Sequence, residues 1–161
     1  MPVRGAPRAT TVHRSTAPAA KDSHAPEVMP VNAAPATPGV ILFAHGARDP
    51  RWAEPFRRVA ERVGRDAPEL PLELAFLEFM TPDVSEAARR LAARGVRHIH
   101  VIPLFFGPGG HLRNELPQLA RAAMAALPGL VVEVAPAAGE DDGVIGALAA
   151  YALRRVAAST D

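Results

Sequence analysis

Residues 39–50 read GVILFAHGARDP, and residues 101–117 read VIPLFFGPGGHLRNELP. Each starts as a short apolar run and ends among glycines and a histidine. His45 follows Val40–Ala44, and His111 stands five residues past Phe106. Apolar runs of this length, bounded by turn residues, read as buried strands. If both strands are parallel, both imidazoles reach the carboxyl edge of one sheet, where open α/β sheets bind ligands. Imidazole titrates near neutral pH and ligates transition metals, so such a pair can take protons and hold an ion.

The pattern continues on either side. Arg51–Arg65 carries Trp52, Phe56, Val59, Ala60 and Val63 at helical spacing, which predicts a helix with that stripe inward. Leu72–Glu78 reads as a second strand. Pro82–Arg94 reads as a helix with Pro82 in its first turn and Val84, Ala87, Ala88 and Leu91 on one face, stopped by Gly95. Ile99–Phe106 is the third strand. Arg113–Leu127 is the next helix, in which Pro117 is tolerated only in the first turn. Leu130–Ala135 is the fourth strand. Asp141 or Asp142 caps a last helix running to about Ala157, with Ile145, Leu148 and Ala152 expected inward. The order βαβαβαβα implies an α/β fold: one four-stranded parallel sheet with flanking helices, right-handed crossovers and strand order 2-1-3-4.

The chain of 161 residues is long enough for a single domain, and 48% hydrophobic content supplies its core. Residues 1–38 differ. They hold seven prolines and no apolar period, and are read as a disordered tail ahead of a domain at 39–161. The formal net charge of +1 gives no general case for binding nucleic acid or an anionic membrane. No stretch approaches the length of a membrane span, and no secretory signal is visible, so a cytoplasmic location is expected. With no cysteine, thiolate sites and cysteine nucleophiles are excluded, and any metal site must use histidine and carboxylate.

In strand order 2-1-3-4 the chain reverses direction between strands one and three. The crevice above that point receives the loops carrying His45 and His111. Glu78, in AFLEFMTP after strand two, comes in beside strand one as a third potential metal ligand. Gly109 and Gly110 let backbone approach a flat ligand closely. Arg48, Arg51 and Arg113 flank the histidines and suit carboxylates, with Asp49 available to pair with one of them. The glycine spacing matches neither a dinucleotide nor a phosphate loop. His98 and His100 alternate on one strand face and are spaced to clamp a metal, but they sit at the beginning of the strand, away from the crevice.

HGARDPRW at 45–52, FLEFMTPDVSEA at 76–87 and IPLFFGPGGHLRNELP at 102–117 together resemble the small CbiX-type class II tetrapyrrole chelatases, the sirohydrochlorin cobalt- and ferrochelatases. The resemblance runs from about Gly39 to Ala157. It implies a chelatase-like fold that inserts a divalent metal, Co²⁺, Fe²⁺ or Ni²⁺, into sirohydrochlorin. It marks His45 and His111 as the catalytic, metal-handling pair and matches Glu78 to the acidic position after strand two. No cofactor is implied beyond the metal substrate. The short form resembles one half of longer two-domain chelatases, which implies a homodimer with a cleft between protomers. Ala47 stands where the family usually has serine.

Two other readings compete. A non-catalytic metal or tetrapyrrole carrier would need the same histidines. A phosphoryl-transfer enzyme using His45 as nucleophile would want an arginine just before it, and Ala44 is there instead.

Overall fold

Burial alternates along His98–Pro103, and that alternation marks which side of the sheet is the main core. The computed structural model describes residues 37–107 and 109–158, with backbone only at 110–113. Most of the expected tail at 1–38 therefore lies outside the described residues.

The elements alternate β1 (Gly39–Ala44), α1 (Glu54–Asp66), β2 (Leu72–Phe76), α2 (Val84–Ala93), β3 (His98–Pro103), α3 (Gly110–Ala126), β4 (Val131–Val134) and α4 (Asp142–Ala157). The sheet has order β2-β1-β3-β4, and every pairing is parallel. The expected fold and strand order are both observed.

On one face, Ile41 and Phe43 of β1, Ala75 of β2, Ile99 and Val101 of β3 and Val132 of β4 are buried. They pack in one cluster with Val84, Ala87, Ala88 and Leu91 of α2 and Leu116, Ala120 and Ala123 of α3. The other face is covered less. There Ala44, Ala53 and Phe76 form a small cluster supported by Phe56, Leu74 and Met80.

Four expectations need correction. The stripe on α1 is not a core stripe: the helix buries no residue, Trp52 is 68% exposed and Val59 41% exposed. Trp52 belongs to a short 3-10 turn, Pro50–Ala53, so it leaves the helical register. Helix α2 starts after Pro82, because Asp83 takes the cap and its carboxylate accepts from the Glu86 N–H at 2.7 Å. Helix α3 starts at Gly110, three residues before its expected start, which leaves Pro117 inside it. Helix α4 buries nothing, and Leu148 is 41% exposed. Its apolar residues satisfy helical spacing, but no strand face receives them. Asp141 caps it as expected, accepting from the Val144 N–H at 3.0 Å.

Leu91 is fully enclosed in the main cluster, close against Gly39 of β1, whereas Val59 is 41% exposed. Leu91→Ala should cost about 2–5 kcal/mol in denaturant unfolding. Val59→Ala should stay within about 0.5 kcal/mol.

Candidate functional site

Strand β1 ends at Ala44, but its pairing does not stop there. The Leu77 N–H donates to the Ala44 carbonyl at 2.9 Å, and the Glu78 N–H donates to the His45 carbonyl at 3.1 Å. This extension carries β1 and β2 past the sheet edge together, so His45 and Glu78 leave the edge side by side. His45 Nδ1 lies 3.2 Å from Glu78 Oε1, and the side chains remain 60% and 45% exposed. The pair is thus formed and open to solvent.

Gly46 makes the approach feasible. It has φ +84°, and a Cβ there would come 2.0 Å from the Glu78 carbonyl oxygen. That same carbonyl accepts the Met80 N–H at 2.8 Å across Phe79, whose φ of 62° completes a tight three-residue turn. Glu78 is therefore held by its backbone on both sides, and its carboxylate is left to face His45.

Strand β3 supplies the neighbouring wall. The Leu104 N–H donates to the Phe43 carbonyl at 2.8 Å, continuing the β1–β3 ladder beyond Pro103. Phe105 meets the His45 ring edge-on, with centroids 6.1 Å apart, and contacts Phe43 in the same way at 5.6 Å. The loop after β3 rests on the turn after β4. The Gly139 N–H donates to the Phe105 carbonyl at 2.8 Å, and a Cβ on Gly139 would come 2.0 Å from the Phe106 carbonyl oxygen. Phe105 and Gly139 are positioning residues that the sequence reading passed over. Phe105 looked like strand, and Gly139 stood in an unremarked turn.

Gly109 is the N-cap residue of α3, and among the described residues, chain neighbours aside, none has an atom within 4 Å of where a Cβ of Gly107 or Gly109 would stand. Gly110, His111 and Arg113 fall in the first turn of α3, beside the crevice in sequence order. The side chains of His111 and Arg113 lie outside the described residues.

The two other arginines take different roles. Arg48 stands over the Phe79 ring, 5.1 Å from its centroid, next to Glu78. Arg51 is engaged by Asp49: Nη2 donates to Oδ2 at 2.7 Å, and Nε to the same oxygen at 3.0 Å. The Arg51 backbone N–H also donates to Asp49 Oδ1 at 3.0 Å, which caps the 3-10 turn. The Arg51 side chain, then its backbone N–H, hold the Asp49 carboxyl below its ordinary value. A lowered folded pKa stabilises above the unfolded value, and that contribution is lost as pH falls through the folded one. Arg51 is thus drawn into a local ion pair, while Arg48 stacks on Phe79.

The CbiX family model matches residues 39–154, which takes in every strand and nearly all of α4. The chain belongs to the CbiX family. A sirohydrochlorin cobaltochelatase from Saccharolobus islandicus is 38% identical over 81 residues, covering 50% of this chain and 62% of that protein. The CbiX chain thus spans somewhat under two thirds of that relative. A sirohydrochlorin cobaltochelatase from Sulfurisphaera tokodaii is 31% identical over 106 residues, covering 66% of this chain and 83% of that one. Among solved structures, a CbiX protein from Marinobacter aquaeolei VT8 superposes with TM-score 0.68 at 26% identity, covering 77% of this chain and 98% of the other. No helix among the described residues is long and apolar enough to cross a membrane.

Gly46→Ala tests how the pair is held. The added methyl must displace the Glu78 carbonyl, and φ +84° disfavours alanine independently. The variant should lose more than about 1 kcal/mol in denaturant unfolding. A Gly46→Ala protein of unchanged stability would show that the turn after β2 does not depend on this approach.

Proposed function

We propose that this CbiX chain inserts a divalent metal into sirohydrochlorin. The observation that carries the reading is the His45–Glu78 pair, 3.2 Å apart and open at the carboxyl edge. Two atoms that share one first-row ion at about 2.1 Å stand about 3.0–3.4 Å apart, so this spacing suits joint capture. Without thiolate, imidazole and carboxylate bind Co²⁺, Fe²⁺ or Ni²⁺ moderately, which permits release to a macrocycle. The cobaltochelatase relatives favour Co²⁺ among these.

The reaction needs a base as well as an ion. As M²⁺ enters, the macrocycle gives up two pyrrole N–H protons. His45 and His111 are the two imidazoles assigned to accept them. Arg48 and Arg113 are assigned to the substrate carboxylates, where guanidinium pairs well with carboxylate. Arg51 contributes by bracing the turn after His45. The chemistry calls for no cofactor beyond the metal substrate.

A second copy completes the site in this reading. One protomer offers a single His45–Glu78 pair, while a tetrapyrrole is broad and multiply charged. Helix α4 supports the same assembly. It is about 24 Å long, with Ile145, Leu148 and Tyr151 exposed at spacing i, i+3, i+6. Exposed apolar stripes of this extent mark interfaces, and twofold pairing is the commonest assembly.

An anaerobic absorbance assay with sirohydrochlorin and Co²⁺ tests the activity. Wild-type chain should convert the free macrocycle to its metal complex, and His45→Ala and His111→Ala should each slow this at least about 100-fold while remaining folded. Metal and macrocycle binding without conversion would make the protein a carrier instead.

Assembly is checked separately. Light scattering at micromolar concentration should give about twice the chain mass of 17.0 kDa. Leu148→Glu should return it to the single-chain mass. A monomer fully active at nanomolar dilution would contradict the shared cleft.

A further inference from the structure

We infer that His98, His100 and Glu133 form a second binding site for a first-row divalent cation, separate from the carboxyl edge. His98 and His100 project from one face of β3, because side chains two apart on a strand share a face. The β3–β4 register sets His100 opposite Glu133 and His98 opposite Val131. The Glu133 carboxylate therefore reaches both rings. Oε1 lies 3.1 Å from His98 Nε2, and Oε2 lies 3.5 Å from His100 Nδ1. The three donor atoms all fall within 4.8 Å of one another. The rings stand 4.6 Å apart, tilted by 35°.

A plain ion pair does not account for His98. Its Nε2 is shielded from solvent and has no hydrogen-bond partner, although a carboxylate oxygen is only 3.1 Å away. The distance suits a hydrogen bond, but the alignment fails. Native proteins seldom leave a shielded polar atom unsatisfied, and a bound ion is one of the few explanations. Separations of 3.1 Å from Oε1 to His98 and 3.5 Å from Oε2 to His100 place each ring nitrogen at the distance from a carboxylate oxygen that two ligands of one ion keep when their bonds are about 2.0–2.1 Å, and small side-chain adjustments would bring the three donors onto a common ion. Two imidazoles and one carboxylate suit Zn²⁺, Co²⁺ and Ni²⁺ rather than Ca²⁺ or Mg²⁺.

The site lies on the sheet face opposite the main core, which helices among the described residues cover incompletely. His98 Nε2 itself is shielded, but the His100 and Glu133 side chains are 38% and 58% exposed, so water can complete the ion's shell from their side. It is also remote from the crevice: His100 is about 10 Å and His98 about 17 Å along β3 from Pro103. An ion here would tie β3 to the four-residue edge strand β4.

The test uses the full chain and CoCl₂ alone, with no tetrapyrrole. In a His45→Ala/His111→Ala background, equilibrium dialysis and Co²⁺ visible absorption should still show one bound ion per chain. Adding His98→Ala, or Glu133→Gln, should weaken that binding at least 10-fold. Co²⁺ should also raise the melting temperature of the background protein, since an ion bound only to the native state stabilises it, and not that of the His98→Ala protein. Glu133→Gln alters one exposed carboxylate, so it keeps the test open if the histidine variant folds poorly. Co²⁺ stoichiometry and affinity unchanged by both substitutions would overturn the site. This outcome is independent of turnover at the carboxyl edge, which the background substitutions already remove.

Discussion

The close approach of the Glu78 carbonyl to Gly46, where a side chain would have no room, governs how the candidate site is built. Parallel strands deliver side chains to a common edge, but they do not by themselves turn two of them toward each other. Here the β1–β2 ladder continues past Phe76 through Leu77 and Glu78, which bond to Ala44 and His45, and the chain after β2 then folds back tightly through Phe79. That reversal pushes the Glu78 carbonyl to where a Cβ of residue 46 would stand. Glycine at 46 lets the two loops close. His45 and Glu78 then meet as a consequence of backbone packing, without needing a buried charge.

The same economy appears on the other side of the crevice. The loop after β3 is supported from beneath by Gly139, so Phe105 is fixed against both Phe43 and His45. The sheet itself is unevenly clothed. Helices α2 and α3 bury one face thoroughly, while α1 covers only part of the other and α4 buries none of its residues. Most of the core energy therefore resides between the sheet and the α2–α3 layer. The less covered face is where histidines and a glutamate stand together on neighbouring strands.

Much of this was legible in the sequence, for reasons that differ element by element. The strands were readable because each is a short apolar run ending in glycine, proline or a charged loop. Their order followed from two such runs carrying histidines and glycines at their carboxyl ends. His45 and Glu78 were named because loops after adjacent parallel strands must emerge together. The helices were harder. A stripe at helical spacing does not reveal whether a partner surface exists, so α1 and α4 were both expected to be buried. Capping outranked proline at the start of α2, where the Asp83 side chain sets the boundary. Glu133 was missed because its relation to His98 and His100 depends on cross-strand register, which no local pattern encodes.

The central claim is that His45 and Glu78 act as one unit on the metal. A double-mutant cycle measures this directly, using His45→Ala, Glu78→Gln and the combination in the anaerobic Co²⁺ assay. If the pair works jointly, the double variant should be little slower than the worse single variant, leaving a coupling of more than about 1 kcal/mol. Effects that add to within about 0.5 kcal/mol would mean that the two side chains act independently, and the account of the site would fail.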